Sequence, residues 1–441
     1  MDSYDGCDGK ETKKNLRALR ASVVKTIFGR GSLMSLRCIN PNCAASFELH
    51  QRLLACSLCG ELLEVQVEAP AILPTDLKAL WLERRCSFDP RDASGVWRFR
   101  EFLPNGYDEI VTMAEGNNAL VAGRKSADWA GLRNLRFKHL GWNPTACFKD
   151  LGMTVGVTEA VHVGAKVVGC ASTGNTAASL AAYAARAGLK ARVYLPSGQI
   201  SNNKLAQALD FGAEVVHVAG NFDAALDRIL AHANNGLYFL NSINPFRLEG
   251  QKTVMFEILE QLGWQPPDYV IVPGGNLGNS SAFGKGLDEL LAAGLIDRLP
   301  RMVIVQAEGA NPLARMWRSG ERELRPIDTP ETAATAIRIG NPRSWKKALR
   351  AIEHTNGFAL DVSDAEIAEA KAVIGRDGIG CEPASATTLA ALRKLREQGK
   401  IDRDASVAAI LTGHALKDTD FILRSQQHEP ALQGEWQVCM R

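Results

Sequence analysis

From about residue 110 onward, short apolar runs alternate with longer segments rich in Ala and Leu, joined by loops of Gly, Ser, Thr and Asn. Residues 166–171 form an apolar run of strand length, and after a break at 172–175 residues 176–187 read as a helix ended by Gly188. Strands at 191–195, 214–218 and 237–240 and helices at 203–211 and 222–233 continue the pattern. A second series holds a strand at 268–272, the loop GGNLGN at 274–279, a helix at 281–293, a strand at 302–306 and a last strand at 407–411. Such alternation predicts an α/β fold of parallel sheets covered by helices on both faces. Two intertwined α/β domains with a cleft between them is the economical architecture, with ligands at the carboxyl ends of the strands.

A length of 441 residues with 46% hydrophobic and 23% charged residues predicts two or three domains with well-buried cores. The 51 basic and 49 acidic residues leave a net charge of +2, so no global field draws nucleic acid or an anionic membrane surface. Recognition of an anion must be local. The apolar runs are strand-sized and fall short of the roughly 20 residues that a bilayer span needs. Ten cysteines and no apolar signal-peptide core near Met1 fit a reducing, cytoplasmic setting.

Residues 1–37 form a basic tail in which Lys13, Lys14, Arg17, Arg20, Lys25, Arg30 and Arg37 occur with no acid after Glu11. A transit peptide has such a bias, but Asp2, Asp5, Asp8 and Glu11 oppose that reading. Translation from Met34, with residues 1–33 an artefact or a disordered tail, is the other reading. Over residues 38–67, Cys38, Cys43, Cys56 and Cys59 have the arrangement of a small zinc ribbon, and Cys56, Cys59 and Gly60 make a tight knuckle. Four thiolates would close a tetrahedral structural site with no position left for a catalytic water. The gap from Cys38 to Cys43 is wider than the usual half-site, and four unligated cysteines are the alternative.

Four loops carry candidate chemistry. In NPTACFKDLG (143–152), Lys149 stands beside a helix start between Phe148 and Asp150. Taken by itself it is an ordinary solvated lysine. In STGNT (172–176), small residues let backbone N–H groups converge, while hydroxyls and the Asn175 amide can donate to an oxyanion. A plain helix cap has the same composition. In GGNLGN, Gly274 to Asn279, three glycines before a helix describe a phosphate cradle, though neither a dinucleotide fingerprint nor a P-loop. LTGHALKD (411–418) sets the Thr412 hydroxyl at the end of an apolar strand, where it can donate to a ring nitrogen or merely cap a helix. A fifth segment, NSINPFRLEGQKT (241–253), brings the Asn241 amide, the Ser242 hydroxyl and the Arg247 guanidinium within about one turn, a second anion site or else a surface salt bridge.

These segments, with CASTGNTAASLAAYAARAG, VPGGNLGN, ATAIRIGNPRSW and CEPASA, resemble in order and spacing the threonine synthases, pyridoxal-phosphate (PLP) enzymes of fold type II, over residues 115–418. The resemblance implies that Lys149 is the Schiff-base lysine and that Asn175 partners the cofactor's 3′ oxygen. It further implies that the backbone of Gly274, Gly275, Asn276, Leu277 and Gly278 cradles the cofactor's phosphate, with Thr412 at the ring nitrogen. Asn241, Ser242 and Arg247 would hold the phosphate of O-phospho-L-homoserine, and Ser172, Thr173 and Thr176 its carboxylate. A neutral Thr412 does not keep the ring nitrogen protonated, which suits elimination and replacement better than transamination.

The expected large PLP domain comprises residues 68–150 and 245–441, the smaller mobile domain residues 151–244, and the assembly a homodimer. Two departures from the commonest family pattern flank the lysine: EGNNALV at 115–121, with Asn118 and Ala119, and Ala146–Cys147 where Gly–Ser is frequent. The alternatives are another fold-type-II lyase or β-replacement enzyme, such as a threonine dehydratase, whose substrates lack a γ-phosphate, or a non-catalytic binding protein.

Overall fold

The computed structural model describes residues 34–172, 174–196, 202–218 and 236–426. The basic tail up to residue 33, Thr173 and the helix expected at 222–233 lie outside these residues.

Three sheets organise the chain. A small antiparallel sheet has the order β2-β1-β3, from β1 (Ser35–Cys38), β2 (Ser46–Glu48) and β3 (Leu63–Gln66). A four-stranded sheet of β6 (Val167–Ala171), β7 (Lys190–Pro196), β8 (Glu214–Val218) and β9 (Leu237–Phe239) is parallel throughout, in the order β8-β7-β6-β9. The third sheet has six strands in the order β12-β11-β10-β13-β5-β4. Its members are β4 (Leu120–Ala122), β5 (Asn134–His139), β10 (Tyr269–Pro273), β11 (Arg301–Ala307), β12 (Phe358–Val362) and β13 (Ser406–Leu411), and only edge strand β4 runs antiparallel. The parallel alternation read from the sequence is therefore present, built as two sheets.

Central strands such as β10 and β13 read as continuous apolar runs because helices cover both faces. Every residue of β10 is buried, and so are the last five of β13. The helices that matter for the site are α1 (Lys149–His162), α2 (Asn175–Arg186), α3 (Pro245–Gln261), α4 (Gly278–Ala292), α5 (Trp345–His354) and α6 (Pro383–Glu397). Pro245 opens α3 at a position where its missing N–H costs nothing, and the Asn244 side chain accepts from the N–H groups of Phe246 and Arg247 at 3.1 and 3.4 Å. Where α1 crosses α3 the backbones nearly touch: a Cβ on Gly250 would lie 1.7 Å from the Leu151 carbonyl oxygen. Helix α4 begins at Gly278, three residues ahead of the expected start, because the glycine loop turns straight into its first turn. Glycine and asparagine are weak helix formers, which hides that turn in the sequence.

Candidate active site

Strand order gathers the site. β10, β13 and β5 are neighbours, so the segments leaving their carboxyl ends lie side by side: Gly274 to Gly278 after β10, Thr412 after β13, and the loop leading to Lys149 after β5. β6 and β9 are likewise paired, and the Leu240 N–H donates to the Gly169 carbonyl at 2.8 Å. Ser172 to Asn175 and Asn241 to Arg247 therefore leave adjacent strands of the smaller sheet.

Lys149 is the first residue of α1 and is half-buried, with Nζ 4.0 Å above the centre of the Phe148 ring. The loop before it is stitched to the loop after β13: the Phe148 N–H donates to the Thr412 carbonyl at 2.9 Å, and the His414 N–H to the Ala146 carbonyl at 3.0 Å. Asp150 braces the other side, accepting from the Thr145 N–H (2.7 Å), the Thr145 hydroxyl (2.6 Å) and the Ser179 hydroxyl of α2 (2.6 Å). Desolvation by burial, reinforced by the positive charge of Arg247, lowers the Lys149 ammonium to about 7. Burial likewise raises the Asp150 carboxyl to about 6 and the Cys147 thiol to about 11.

Arg247, in the first turn of α3, is only 2% exposed, yet no carboxylate pairs with it among the described residues. Nη1 reaches the Leu240 carbonyl at 3.5 Å, and Nε has no partner among those residues. Burial without a counter-ion lowers even this guanidinium to about 10. A surface salt bridge is thereby excluded. A buried cation without an anion describes a socket for an anionic ligand. Asn241 and Ser242 are half-buried just beyond β9. Ser172 accepts from the Gly174 N–H at 3.2 Å, and Thr176 is buried in the first turn of α2.

The glycine loop has the features a phosphate needs. Leu277 takes a left-handed φ of +64° immediately before α4 and turns the chain so that the helix's positive end faces the loop. Gln251 Oε1, Asn279 Oδ1 and Ser280 Oγ are buried without a hydrogen-bond partner among the described residues, and Gln251 Oε1 lies 3.7 Å from a Cβ built on Gly278. The segment ATAIRIGNPRSW lies over the loop: the Arg343 N–H donates to Asn276 Oδ1 at 3.1 Å, and Ile337 faces Gly275. These residues fit the cofactor's phosphate.

Glu382, at the start of α6, was not singled out by the sequence. It is 3% exposed and joins Thr412 to Asn175, accepting from Thr412 Oγ1 at 2.8 Å and from Asn175 Nδ2 at 3.0 Å. Ser385 Oγ accepts from the N–H groups of Thr412 and Gly413 at 2.8 and 3.3 Å and lies 3.0 Å from Thr412 Oγ1. In this arrangement the Thr412 hydroxyl proton is directed at Glu382.

The four cysteines also come together, with their sulfur atoms all within 4.8 Å of one another.

A lysine at a helix start, a hydroxyl at the next strand end and a glycine cradle on a parallel sheet define a pyridoxal-phosphate enzyme of fold type II. Residues 111–413 match the family model described as Pyridoxal-phosphate dependent enzyme. The chain is 46% identical to the threonine synthase of Methanocaldococcus jannaschii over 411 residues, 92% of this chain and 99% of that one. It is 43% identical to the threonine synthase of a Synechocystis species over 350 residues, 77% and 88% of the two chains. The solved threonine synthase of Escherichia coli shares the fold, with a TM-score of 0.65 at 19% identity over 89% of this chain and 90% of that one. The chain belongs to the threonine synthase family of pyridoxal-phosphate dependent enzymes.

Proposed function

We propose that the chain converts O-phospho-L-homoserine and water into L-threonine and phosphate, and that the observation carrying this substrate is the buried Arg247, which has no carboxylate partner among the described residues. Lys149 would hold the cofactor, the Gly274 to Gly278 backbone and the first turn of α4 its phosphate, Asn175 its 3′ oxygen and Thr412 its ring nitrogen. When bound, the cofactor supplies an electron sink conjugated to the substrate's α carbon.

The protein's own groups do the rest. Arg247, Asn241 and Ser242 grip the γ-phosphate, while Ser172, Thr173 and Thr176 orient the carboxylate. An ordinary lysine is almost wholly protonated at neutral pH, whereas Lys149, lowered to about 7 by burial and by Arg247, offers free amine there, a base able to take the α proton and then the β proton. Phosphate departs from the γ carbon, and Arg247 meets the charge that develops there. A proton returned to the γ carbon makes the methyl group, water adds at the β carbon, and a proton returned to the α carbon completes L-threonine.

The reading includes a large domain of residues 68–150 and 245–441 and a smaller one of 151–244 whose closure excludes water until the addition step. It also includes a cytoplasmic homodimer and a structural zinc held by Cys38, Cys43, Cys56 and Cys59. None of the eight cysteines among the described residues is joined in a disulfide. No described helix is long and apolar enough to cross a membrane.

Incubating the PLP-loaded protein with O-phospho-L-homoserine tests the proposal. Phosphate and L-threonine in equal amounts are expected. A 2-oxo acid as the product, or turnover of threonine or serine without use of the phosphorylated substrate, would contradict it in favour of a dehydratase.

A further inference from the structure

We propose that the four-cysteine ribbon is a zinc-centred clamp that grips both the cofactor cradle and the lysine helix, so that the metal controls how tightly the protein holds PLP. This rests on the reading of Gly274 to Gly278 as the cofactor's phosphate site.

The sulfur positions suit the metal. A tetrahedral zinc with bonds of about 2.3 Å needs ligand sulfurs just under about 4 Å apart. Cys38 and Cys59 are 3.4 Å apart and Cys43 and Cys56 are 3.7 Å apart. Backbone geometry delivers them there. The Gly60 N–H closes back on the Cys56 carbonyl at 2.9 Å, with Gly60 at φ +74°, and the Cys43 N–H bonds the Asn40 carbonyl at 3.0 Å beside a left-handed Ala44. Cys59 is exposed, leaving a route for the ion, and binding would release the thiol protons to solvent.

The ribbon is not a tethered appendage. Leu36, Cys38, Cys56, Leu63 and Val65 are buried in the same cluster as Phe246 and Phe283 of α3 and α4. On one side β3 holds α5: Lys347 Nζ donates to the Leu63 carbonyl at 2.7 Å, and Arg350 donates twice to Glu64, at 2.6 and 3.1 Å. Ser344, at the start of α5, donates its N–H to the Asn276 carbonyl at 3.4 Å, next to the Arg343 bond to the Asn276 side chain. One helix therefore links the ribbon to the cradle. On the other side His50 Nδ1 lies 2.9 Å from Glu159 Oε2 on α1, the helix that Lys149 begins, and Leu54 packs on Ala171, Leu237 and Phe239 of the smaller sheet. A three-stranded sheet with strands of three or four residues has too little core to keep this shape unaided, which is the task a structural metal performs.

Metal analysis and cofactor titration of the full chain decide the matter. The purified holoenzyme should carry one zinc per chain, and stripping it with a strong chelator, or replacing Cys56 and Cys59 together by Ser, should raise the PLP dissociation constant at least tenfold. The pair Glu64→Gln with Arg350→Gln should keep the zinc yet weaken PLP binding, separating the clamp from metal-dependent folding. Holoenzyme without zinc, its four cysteines free or joined in disulfides, would overturn the proposal, as would zinc-free protein with unchanged PLP affinity. Wild-type protein that carries zinc but binds no PLP would overturn the catalytic reading itself and the coupling with it.

Discussion

Ala146 adopts φ +62°, a left-handed conformation that glycine enters freely and alanine does not. Its N–H donates to the Asn143 carbonyl and its carbonyl accepts from His414, so the turn that aims Lys149 is fixed at both ends and the strain persists. Ala146→Gly should stabilise the protein by about 1 kcal/mol, read as a higher denaturant midpoint at unchanged slope. An equal or lower midpoint would refute this account of the departure. Lys149 itself offers a pH test. Only the free amine can attach PLP, so with its ammonium near 7 the reconstitution rate of cofactor-free protein should climb about tenfold per pH unit below 7 and level off above it. An ordinary lysine would keep gaining rate up to about pH 10, and that profile would contradict the lowered value. Lys149, Thr412 and the glycine loop were picked out because each sits in a contiguous motif, although Lys149 by itself reads as an ordinary solvated lysine. Glu382 was not, since its link to Thr412 spans 30 residues of sequence and exists only because α6 packs behind β13. Glu382 did lie in a matching segment, CEPASA, just before Pro383 at a helix start where Ser, Thr, Asp or Asn would be usual, but neither cue says what its side chain touches.

At the scale of elements, the crossing of α1 and α3 sets Lys149 against Arg247, and Gly250 is what lets it be so tight. Gly250→Ala should cost about 3 kcal/mol, because the new Cβ must displace the Leu151 carbonyl. Gly375→Ala is the control: its Cβ would meet nothing within 4 Å inside a helix, so stability should be unchanged or raised by up to about 1 kcal/mol. Equal losses from both would show that the contact is not the cause. The strands β6, β8, β10, β11 and β13 stood out as apolar runs bounded by breakers. β5 did not, since NLRFKH mixes Arg, Lys and His into a strand whose Lys138 is buried and paired with Glu257. Periodicity is blind to a charge neutralised by a partner 119 residues away. The ribbon strands are too short to announce themselves, and there the cysteine spacing was the better guide.

Across the whole molecule, parallel strands from distant parts of the chain bring the glycine loop, Thr412 and the loop leading to Lys149 side by side, and set Ser172 and Asn241 at the ends of neighbouring strands. The fold was legible as alternating strands and helices, but the order of the strands within each sheet was not, because which strands pair is decided by crossovers that local sequence does not encode. Nor was the ribbon's position against both α1 and α5, which depends on single long-range contacts such as His50 with Glu159. In the proposed function the cofactor is held by Lys149 and by no other lysine. Borohydride reduction of the PLP-loaded protein, followed by digestion and mass spectrometry, tests it directly. A phosphopyridoxyl group is expected on the peptide containing Lys149, and none after Lys149→Ala. The label on another lysine, or its retention in that variant, would contradict it.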